Sequence, residues 1–293
     1  MSSSPTPDLH GQVIVITGGN SGIGKEAAVS LAAMGATVVI TARDTQKGQE
    51  ALDDIRRRSG SSTVEVMALD LADFVSIRAF AAELLTRFDR LDVLINNAGG
   101  ILSERRHTAQ GFEMTFGVNH LGHFLLTELL VDRLKESAPS RVVTVSSFGH
   151  RFATSGLAFE DLQSDLGYSS MDVYGKSKLA NLMFSNELAR QLAGTGVTSN
   201  AVHPGAVRTD FGGADDTKGL ERLTMAAGAP FMISPKTGAK TIVFLASSPD
   251  VAGATGGYYV RRKLHKPSKH GRDAGAARRL WEESEKLVSG ADV

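Results

Sequence analysis

The chain has 293 residues, in which 32 Lys and Arg balance 32 Asp and Glu, and it contains no cysteine. The zero formal charge provides no global field for binding nucleic acid, so we expect no nucleic-acid partner. The lack of cysteine excludes a disulfide scaffold, a cysteine nucleophile and any thiolate metal site. Hydrophobic residues make up 42% and charged residues 22%, values that are ordinary for a globular protein and exclude a disordered chain.

The first twelve residues, MSSSPTPDLHGQ, are polar and lack the basic and apolar regions of a secretory signal. No stretch of the sequence approaches the ~18 uninterrupted apolar residues that a membrane span requires. We therefore expect no membrane span and a cytoplasmic location.

Strand and helix patterns alternate along the chain from residue 13 onwards. Short, almost wholly apolar strands are predicted at Val13–Thr17, Thr37–Thr41, Val64–Leu69, Asp92–Asn96, Arg141–Ser146 and Val197–His203. Helices are predicted between them at Ile23–Met34, Gln46–Ser59, Ala72–Phe88, Gly111–Lys135 and Val173–Leu192. This alternation is typical of a parallel sheet that is covered on both faces. The sequence therefore predicts an α/β fold with a doubly wound, Rossmann-type sheet and helices on both faces.

No linker rich in Pro, Gly or Ser divides the chain, so we expect a single domain over residues 1–293. Within it, residues 10–145 would mainly bind a dinucleotide, and residues 146–293 would supply a catalytic helix, substrate loops and a C-terminal strap. The irregular stretches that follow predicted strands are Phe148–Met171, Phe211–Ser234 and Arg261–Ala274. Because open α/β sheets bind ligands at the carboxyl ends of their strands, these stretches are expected to form the walls of a substrate pocket.

The first motif with chemical meaning is a glycine-rich turn, TGGNSGIG, between the first predicted strand and the first predicted helix. Glycines let the backbone turn tightly and approach a pyrophosphate, which the helix N-terminus then holds through free N–H groups and its dipole. Gly22, Gly24 and Ala27 also match the G-x-G-x-x-G/A dinucleotide fingerprint. A turn without a ligand is the alternative, and the strand–turn–helix context favours a cofactor site. The candidate cofactor-binding residues here are Gly18, Asn20, Ser21, Gly22, Ile23 and Gly24.

The end of the second predicted strand, Thr41-Ala42-Arg43-Asp44, bears on the choice of cofactor. NAD sites place a carboxylate near this point to bind the ribose hydroxyls, whereas an arginine accommodates the 2′-phosphate of NADP. Ala42 occupies the carboxylate position and Arg43 follows it, while Asp44 lies one or two residues too late. The pattern favours NADP(H) over NAD(H), and a solvated surface charge is the alternative interpretation of Arg43.

Three further patterns carry polar groups that are suited to carbonyl chemistry. Tyr174 and Lys178 are four residues apart and share a helix face, where an ammonium group and an oxidised nicotinamide favour the phenolate. VTVSS places Ser147 at a strand end, where its hydroxyl can bind a substrate oxygen. NNAG, residues 96–99, brings amides and small residues to another strand end. Taken singly, each pattern is also common in ordinary helices and turns.

Together, however, these motifs resemble the short-chain dehydrogenase/reductase family over essentially the whole chain. The residues that carry the resemblance, in family order, are TGGNSGIG, Asp70-Leu71, NNAG, Asn119 in VNHLGHF, Ser147, YGKSK and Pro204-Gly205. GVNHLGHFLLT, YGKSKLAN and HPGAVRTDF look most like the retinol-dehydrogenase-like branch, whose members reduce or oxidise lipophilic carbonyls and alcohols. The polar start of this chain differs from the apolar N-terminal anchor of the branch's membrane-bound members.

The resemblance implies a role for each matching residue. Tyr174 would be the general acid/base, Lys178 would lower its pKa and bind the ribose, and Ser147 would polarise the substrate oxygen. Asn119 would hold a water that links Lys178 to solvent. The other implied cofactor contacts are Asp70, Leu71, Asn97, Ala98, Gly99, Pro204, Gly205, Val207 and Thr209.

The resemblance therefore implies hydride transfer between NADP(H) and a lipophilic aldehyde, ketone or alcohol. An NAD-dependent alcohol dehydrogenase of the same fold is one alternative. A non-catalytic dinucleotide-binding regulator is another, although such proteins typically lack the tyrosine or the lysine that this chain retains. Family members are often homodimers or homotetramers, and the sequence leaves the oligomeric state open.

Two substrate loops are expected beside the site. Gly149–Met171 separates Ser147 from Tyr174 and is expected to form a flap. The region Phe211–Met232 is expected to form a lid over an apolar substrate, with a core-packing helix as the alternative. The side chains on which this second expectation rests are Met225, Phe231 and Met232.

A pair of histidines and a cluster of basic residues are interpreted as structural and solvent-exposed features, respectively. His120 and His123 share a helix face, but no carboxylate completes a metal-binding set, so we predict packing or hydrogen bonding and no metal site. Arg261–Arg272 contains six Lys and Arg residues and no acidic residue. We interpret it as a solvated C-terminal strap, with binding to an anionic surface as the alternative.

Overall fold

A computed structural model describes residues 7–207 and 232–291. The strands in these residues form one sheet, and they are β1 (Val13–Ile16), β2 (Thr37–Ala42), β3 (Val64–Ala68), β4 (Val93–Asn96), β5 (Ser140–Val145), β6 (Val197–His203), β7 (Tyr258–Val260) and β8 (Lys263–Leu264). Their spatial order is β3-β2-β1-β4-β5-β6-β7-β8. Strands β1 to β7 are parallel, and β8 pairs antiparallel with β7.

Helices cover both faces of the sheet. In the described residues they are α1 (Gly22–Ala32), α2 (Thr45–Ser59), α3 (Phe74–Arg87), α4 (Met114–Phe116), α5 (Gly122–Glu136), α6 (Ser170–Gln191), α7 (Pro235–Ser247) and α8 (Ala274–Gly290). The structure confirms the predicted doubly wound α/β fold and the strand–helix alternation on which it was based.

Two apolar cores lie on the two faces of the sheet. Val15 and Val39 point to a core formed with α3, α5, α6 and α8. Ile14 and Val38, their neighbours along the strands, point to the opposite core formed with α1, α2 and α7. Successive side chains of a strand alternate between faces, and both faces are buried here, which explains why the strand sequences are continuously apolar.

The predicted helix over Gly111–Lys135 is wrong in one respect, because the structure divides it. A short helix, α4, ends at Phe116, and a π turn over Gly117–Leu121 leads into α5. The apolar pattern continues through all three segments, so periodicity alone predicts one long helix. Single π turns of this kind are frequent at functional sites, and this one contains Asn119.

Strands β7 and β8 and the last two helices were not predicted from the sequence. Helix α7 has recognisable start signals, because the Ser234 hydroxyl accepts a hydrogen bond from the Thr237 amide at 3.2 Å and Pro235 occupies the first turn. Helix α8 is anchored by Trp281, whose ring stacks on Phe184 with centroids 5.8 Å apart. Helix α8 thereby covers part of α6 within the same chain.

The cationic strap before α8 fits its predicted character. All six Lys and Arg side chains of Arg261–Arg272 are exposed to solvent. The strap is attached to the body of the protein at Ser268, whose amide donates to His150 Nε2 at 3.1 Å. In residues 7–207 and 232–291, no helix is both long enough and apolar enough to cross a membrane.

Candidate active site

The carboxyl edge of the sheet brings the predicted site residues together. Because β1 to β7 are parallel, the segments after β1, β4, β5 and β6 all leave the sheet at the same edge. These segments carry the glycine turn, the NNAG motif, Ser147 and Pro204-Gly205, respectively. Chain order reverses between β1 and β4, which is the position where doubly wound sheets bind ligands.

The glycine turn is shaped to bring backbone close to a ligand. Gly18 and Gly22 have positive φ angles of 62° and 53°, which favour glycine. A side chain at Gly24 would place its Cβ 2.5 Å from Asn97 Nδ2, so only glycine fits. Ser21 precedes α1 without a side-chain cap, and the first turn contains no acidic residue. The N–H groups of the first turn are therefore available to an anion such as a pyrophosphate.

Thr17 connects the glycine turn to the end of β4. Its hydroxyl oxygen accepts hydrogen bonds from the amides of Asn97 and Ala98, at 2.8 and 3.0 Å. The Asn97 side-chain amide donates back to the Thr17 carbonyl at 2.7 Å. Asn97 and Ala98 are thus held beside Gly18 in the cleft, where the sequence predicts cofactor contacts.

Ser147 and Tyr174 meet above the carboxyl end of β5. The Ser147 side chain hydrogen-bonds the Tyr174 side chain, and the Ser147 hydroxyl also accepts from the Gly149 amide at 3.0 Å. A Cβ at Gly149 would lie 2.8 Å from Tyr174 Cε1, so glycine is needed for the tyrosine ring to lie against this loop. The structure therefore brings together the two hydroxyls that the sequence assigns to the substrate oxygen.

Lys178 lies one turn further along α6 and is 2% exposed. Its Nζ donates to the Val145 carbonyl at 3.3 Å and lies 5.8 Å from the centroid of the Tyr174 ring. Burial lowers the pKa of Lys178 to about 8. Ser146 differs from Ser147, because its buried hydroxyl donates to the Lys178 carbonyl at 2.7 Å.

The pKa of Tyr174 departs from expectation. Burial raises the pKa of the phenol, and the hydrogen bond with Ser147 lowers it to a smaller extent. In the protein chain alone, the net direction is upward, opposite to the lowering by Lys178 that the family resemblance implies. The reason is that desolvation of the phenolate outweighs the stabilisation that the surrounding side chains provide.

The Asn119 side chain is fully used in contacts within the protein. Its Nδ2 donates to the Gly100 carbonyl at 3.0 Å and to Ser177 Oγ at 2.9 Å, and its Oδ1 accepts from the Gly100 amide at 2.9 Å. A Cβ at Gly99 would lie 2.9 Å from Asn119 Oδ1 and 3.1 Å from Lys178 Nζ. Asn119 therefore lies close to Lys178, and its role in holding a water stays a prediction.

The ends of β2 and β3 lie beside the glycine turn. Ala42 is 4% exposed, whereas Arg43 is exposed to solvent. The Asp44 carboxylate accepts from the amides of Gln46 and Lys47 at 3.0 and 3.1 Å, so it caps α2. It is therefore engaged with the helix that follows it.

Asp70 and Leu71 follow β3 at the same edge of the sheet. The Asp70 carboxylate accepts from the Ala72 amide at 2.9 Å and is partly exposed. Leu71 is 5% exposed and packs against the start of α5 at Gly122. Their predicted contact with an adenine ring stays a prediction.

The segment after β6 is described only in part. Gly205 has a φ of 105°, and a Cβ there would lie 2.6 Å from Ile233 Cδ1. Val207 forms a parallel bridge with Ile233, so this segment is held against the start of α7. Of the remaining predicted residues, Pro204 and Met232 are described, whereas Thr209, Met225 and Phe231 lie outside the described residues.

Large apolar side chains are exposed on the segments that follow Ser147 and precede Tyr174. Phe148 is 54% exposed, Phe152 is 43% exposed, and their rings lie 6.5 Å apart in an edge-to-face arrangement. Met171, at the end of the expected flap, is 45% exposed. Three large apolar side chains exposed close to a polar site are typical of a binding surface for an apolar ligand.

A half-buried histidine, His203, also lies beside the site, although the sequence patterns did not assign it there. His203 Nδ1 accepts from the Phe148 amide at 3.2 Å, which joins the end of β6 to the residue after Ser147. Burial lowers the pKa of His203 to about 4, so its ring is neutral. Its position directly before Pro204 at a strand end was the available signal.

His120 and His123 are both buried, and each ring is hydrogen-bonded within the protein. His120 Nε2 lies 2.8 Å from Ser284 Oγ of α8, and His123 Nε2 lies 2.8 Å from Thr17 Oγ1. Within the described part of the chain, no three His, Asp or Glu side chains converge in a geometry that could hold a metal ion.

The doubly wound sheet and the uncapped N-terminus of α1 are typical of a dinucleotide-binding site, and Ser147, Tyr174 and Lys178 lie next to it. The class of protein is therefore a dinucleotide-dependent enzyme, and comparison with known proteins identifies its family. The family model for the short chain dehydrogenase matches residues 12–218. Human retinol dehydrogenase 14 is 43% identical over 294 residues, covering 96% of this chain and 87% of that protein.

Two solved structures extend the comparison to three dimensions. A crystal structure of a protein from Mycobacterium paratuberculosis has a TM-score of 0.77 at 36% identity, covering 97% of this chain and 96% of its own. The Pseudomonas aeruginosa RhlG/NADP active-site complex has a TM-score of 0.68 at 26% identity, covering 87% of this chain and 96% of its own.

The chain therefore belongs to the short-chain dehydrogenase family, and it is similar to the retinol dehydrogenases within it. The protein is accordingly an oxidoreductase with a fold that binds a nicotinamide dinucleotide. The residues present fit that group, because the first turn of α1 offers N–H groups that no side chain caps.

Proposed function

We propose that this protein transfers a hydride between NADP(H) and a lipophilic aldehyde, ketone or alcohol, with Tyr174 as general acid/base. The observation that carries the proposal is the hydrogen-bonded pair of Ser147 and Tyr174, with the Lys178 ammonium 5.8 Å from the tyrosine ring. This set lies at the same sheet edge as the glycine turn. A proton donor, a second hydroxyl and a positive charge are the groups that carbonyl reduction requires from a protein.

In this reaction, the protein's own residues transfer the proton and bind the substrate oxygen. Nicotinamide, when bound, supplies or accepts the hydride at the substrate carbon. In the reductive direction, the Tyr174 hydroxyl donates its proton to the substrate oxygen, while the Ser147 hydroxyl donates a hydrogen bond to that oxygen. Lys178, protonated at neutral pH because its pKa is about 8, stabilises the tyrosinate that remains. In the oxidative direction, the tyrosinate accepts the alcohol proton.

The raised pKa of Tyr174 bears on the direction of the reaction. A phenol whose pKa is raised by burial is protonated at neutral pH, so it is ready to act as an acid. Carbonyl reduction needs the acid form, whereas alcohol oxidation needs the phenolate. We therefore expect the protonated Tyr174 to serve as the acid in reduction at neutral pH, and alcohol oxidation to gain as the pH rises.

The exposed apolar side chains in the segment between Ser147 and Tyr174 support a lipophilic substrate. Phe148, Phe152 and Met171, in this segment, are each at least two-fifths exposed, and burying such side chains against an apolar ligand is favourable by ~25 cal/mol per Å². The name of the human relative gives retinol as the substrate of that protein. Retinol is a lipophilic primary alcohol, so retinal is a suitable first probe for this chain.

The end of β2 supports NADP(H) rather than NAD(H). An NAD site needs a carboxylate to accept hydrogen bonds from the ribose hydroxyls. Ala42 occupies that position, and the nearby Asp44 carboxylate is engaged in capping α2. Arg43 is exposed, carries a permanent positive charge and is suited to a 2′-phosphate.

The experiment is a fluorescence titration of the purified protein with NADPH and NADH, repeated for Arg43→Asp and for the control Arg57→Ala. Arg57 is exposed on α2 and pairs with Asp54, so it has no part in the site. We expect NADPH to bind at least ~10-fold more tightly than NADH, or ~1.4 kcal/mol, in the wild type and in the control. Arg43→Asp is expected to reverse the preference.

Two results would contradict parts of the proposal. Equal or tighter binding of NADH by the wild type removes the Arg43 interpretation and favours an NAD-dependent alcohol dehydrogenase. Binding of NADPH without turnover of retinal, nonanal or benzaldehyde favours a non-catalytic regulator. We also propose a cytoplasmic location, which fractionation of expressing cells tests. Light scattering distinguishes a monomer from a homodimer or a homotetramer.

A further inference from the structure

His123 makes two hydrogen bonds that join separate parts of the candidate site. It lies in the first turn of α5 and is 1% exposed. Its Nε2 lies 2.8 Å from Thr17 Oγ1, at the start of the glycine turn. Its Nδ1 lies 3.1 Å from the Asn119 carbonyl oxygen, in the π turn next to Lys178. One ring therefore contacts both the turn at the cofactor cleft and the segment beside the catalytic lysine.

The direction of both hydrogen bonds follows from the chemistry of the ring. Burial lowers the pKa of His123 to about 4, the bond to Asn119 opposes this shift, and the Lys178 charge adds to it. The ring is therefore neutral at physiological pH and carries one N–H. A carbonyl oxygen only accepts, so Nδ1 must carry the proton and donate it to Asn119. Nε2 must then accept, and the Thr17 hydroxyl is its donor.

This direction determines which way the Thr17 hydroxyl points. Its single proton has two acceptors within reach, His123 Nε2 at 2.8 Å and the Ile95 carbonyl at 3.3 Å, and the shorter bond is to the histidine. The lone pairs of the hydroxyl oxygen then face the amides of Asn97 and Ala98. His123 thus orients the hydroxyl that holds the end of β4 against the glycine turn.

The other nitrogen acts on Asn119. Its carbonyl lies within a π turn, in which the backbone bonds run from residue i+5 to residue i, as the Gly122 amide does to the Gly117 carbonyl. The Nδ1–H of His123 provides this carbonyl with a fixed donor. The Asn119 side chain in turn holds Gly100, and Gly99 places the same side chain beside Lys178.

We propose that His123 is a positioning residue of the active site, whose Nε2 arm sets the geometry of the dinucleotide cleft and whose Nδ1 arm sets the geometry around Lys178. The inference rests on the proposed function, since it assumes a dinucleotide in the cleft and a working Lys178. It assigns two separable effects to one ring, and it concerns neither proton transfer by the histidine nor a metal.

Two amide substitutions separate the arms. In His123→Asn, the side-chain nitrogen lies near the position of Nδ1, so it can still donate to the Asn119 carbonyl but cannot reach Thr17. In His123→Gln, the longer side chain places its oxygen near the position of Nε2, so it can accept from Thr17 but no longer donates to the Asn119 carbonyl. Each variant keeps one arm and removes the other.

The measurements are the NADPH dissociation constant, kcat with retinal at saturating NADPH, and the melting temperature. A net hydrogen bond contributes ~0.5–1.5 kcal/mol, which corresponds to about a two- to twelvefold change. We expect His123→Asn to weaken NADPH binding by about this factor with kcat within about twofold of wild type. We expect His123→Gln to lower kcat by a similar factor while NADPH binding is retained.

A double-mutant cycle and a matched control complete the design. If the Nε2 arm acts through Thr17, His123→Asn should weaken NADPH binding no further in a Thr17→Val background. His120→Asn is the control, because His120 is equally buried on the neighbouring turn but bonds Ser284 of α8. It is expected to lower the melting temperature without changing NADPH affinity or kcat.

The outcomes distinguish this inference from the proposed function. If both His123 variants change affinity and kcat by the same factor, if the cycle is additive, or if His120→Asn has the same effects, His123 has only a packing role and the inference is wrong. A wild type that binds NADPH and reduces retinal, with His123 variants indistinguishable from it, also overturns the inference alone. A wild type that binds neither dinucleotide overturns the proposed function and the inference with it.

Discussion

Replacing Lys178 by methionine is expected to stabilise the fold while it abolishes turnover. The lysine is buried at 2% exposure, and its Nζ makes a long hydrogen bond of 3.3 Å to the Val145 carbonyl. That carbonyl also accepts from Asn181 Nδ2 at 3.1 Å, so it keeps a partner when the lysine is removed. Methionine has a similar length and carries no charge, so it can fill the same space without desolvation of an ammonium group.

The magnitude follows from the pKa of the buried amine. Burial lowers the pKa of Lys178 from 10.5 to about 8, and a shift of this size corresponds to ~3 kcal/mol of destabilisation. Between these two pH values the unfolded chain binds more protons than the folded chain, so the stability of the wild type rises with pH in this interval. Below pH 8 the destabilisation is fully present. Allowing ~1 kcal/mol for the lost hydrogen bond, Lys178→Met should be more stable by ~2 kcal/mol at pH 7.

Urea unfolding followed by circular dichroism at pH 7 and pH 10 measures this difference. The advantage of Lys178→Met should shrink towards zero at pH 10, where the folded wild type no longer holds a buried charge. Lys176→Met is the matched control, because Lys176 lies on the same helix in a partly exposed ion pair with Asp172 at 2.7 Å. We expect it to change stability by less than ~0.5 kcal/mol. A Lys178→Met variant that is less stable than wild type at pH 7, or a difference independent of pH, refutes the reasoning.

Two further predictions concern the loop after β5. Gly149→Ala places a Cβ 2.8 Å from Tyr174 Cε1 and should lower kcat by about 100-fold. Gly167→Ala is the control, because its Cβ meets no atom within 4 Å, and it should leave kcat unchanged. Equal activity of the two variants would show that the tyrosine ring tolerates displacement. Ser147→Ala should lower kcat by ~10²–10³ with little loss of stability, while Ser146→Ala should cost ~1 kcal/mol of stability and retain most activity. The reverse pattern, measured by steady-state reduction of retinal and urea unfolding, would exchange the roles of the two serines.

Local patterns predicted the fold well wherever the chain's own periodicity carried the information. The strands at Thr37–Ala42 and Val197–His203 are continuously apolar because both faces of the sheet are buried, and their bounds matched closely. The π turn at Gly117–Leu121 did not appear in the sequence pattern, because the same apolar face continues through it. Helix α8 was missed although Trp281 marks its buried face, since the stretch before it is polar and irregular.

The residues of the candidate site also fall into those that local motifs predict and those that they do not. The glycine turn, Ser147, Tyr174 and Lys178 stand in local motifs, and the sequence was sufficient to predict that they lie together. The histidines that connect these motifs were not predictable, because their partners are distant along the chain. His123 and Thr17 are 106 residues apart, and His203 and Phe148 are 55 residues apart. Such contacts are determined by the packing of the whole sheet and are not visible in any sequence window.

This arrangement makes stability and activity compete at the carboxyl edge of the sheet. Lys178 is a buried charge, and the neighbouring His123 is a buried polar ring whose pKa of about 4 reflects the cost of desolvating its charged form. The apolar cores on both faces of the sheet offset this cost, since they bury the side chains that flank the site. Substitutions that make this edge more apolar should therefore stabilise the protein and impair it, while stabilising changes on exposed helix faces should leave turnover intact.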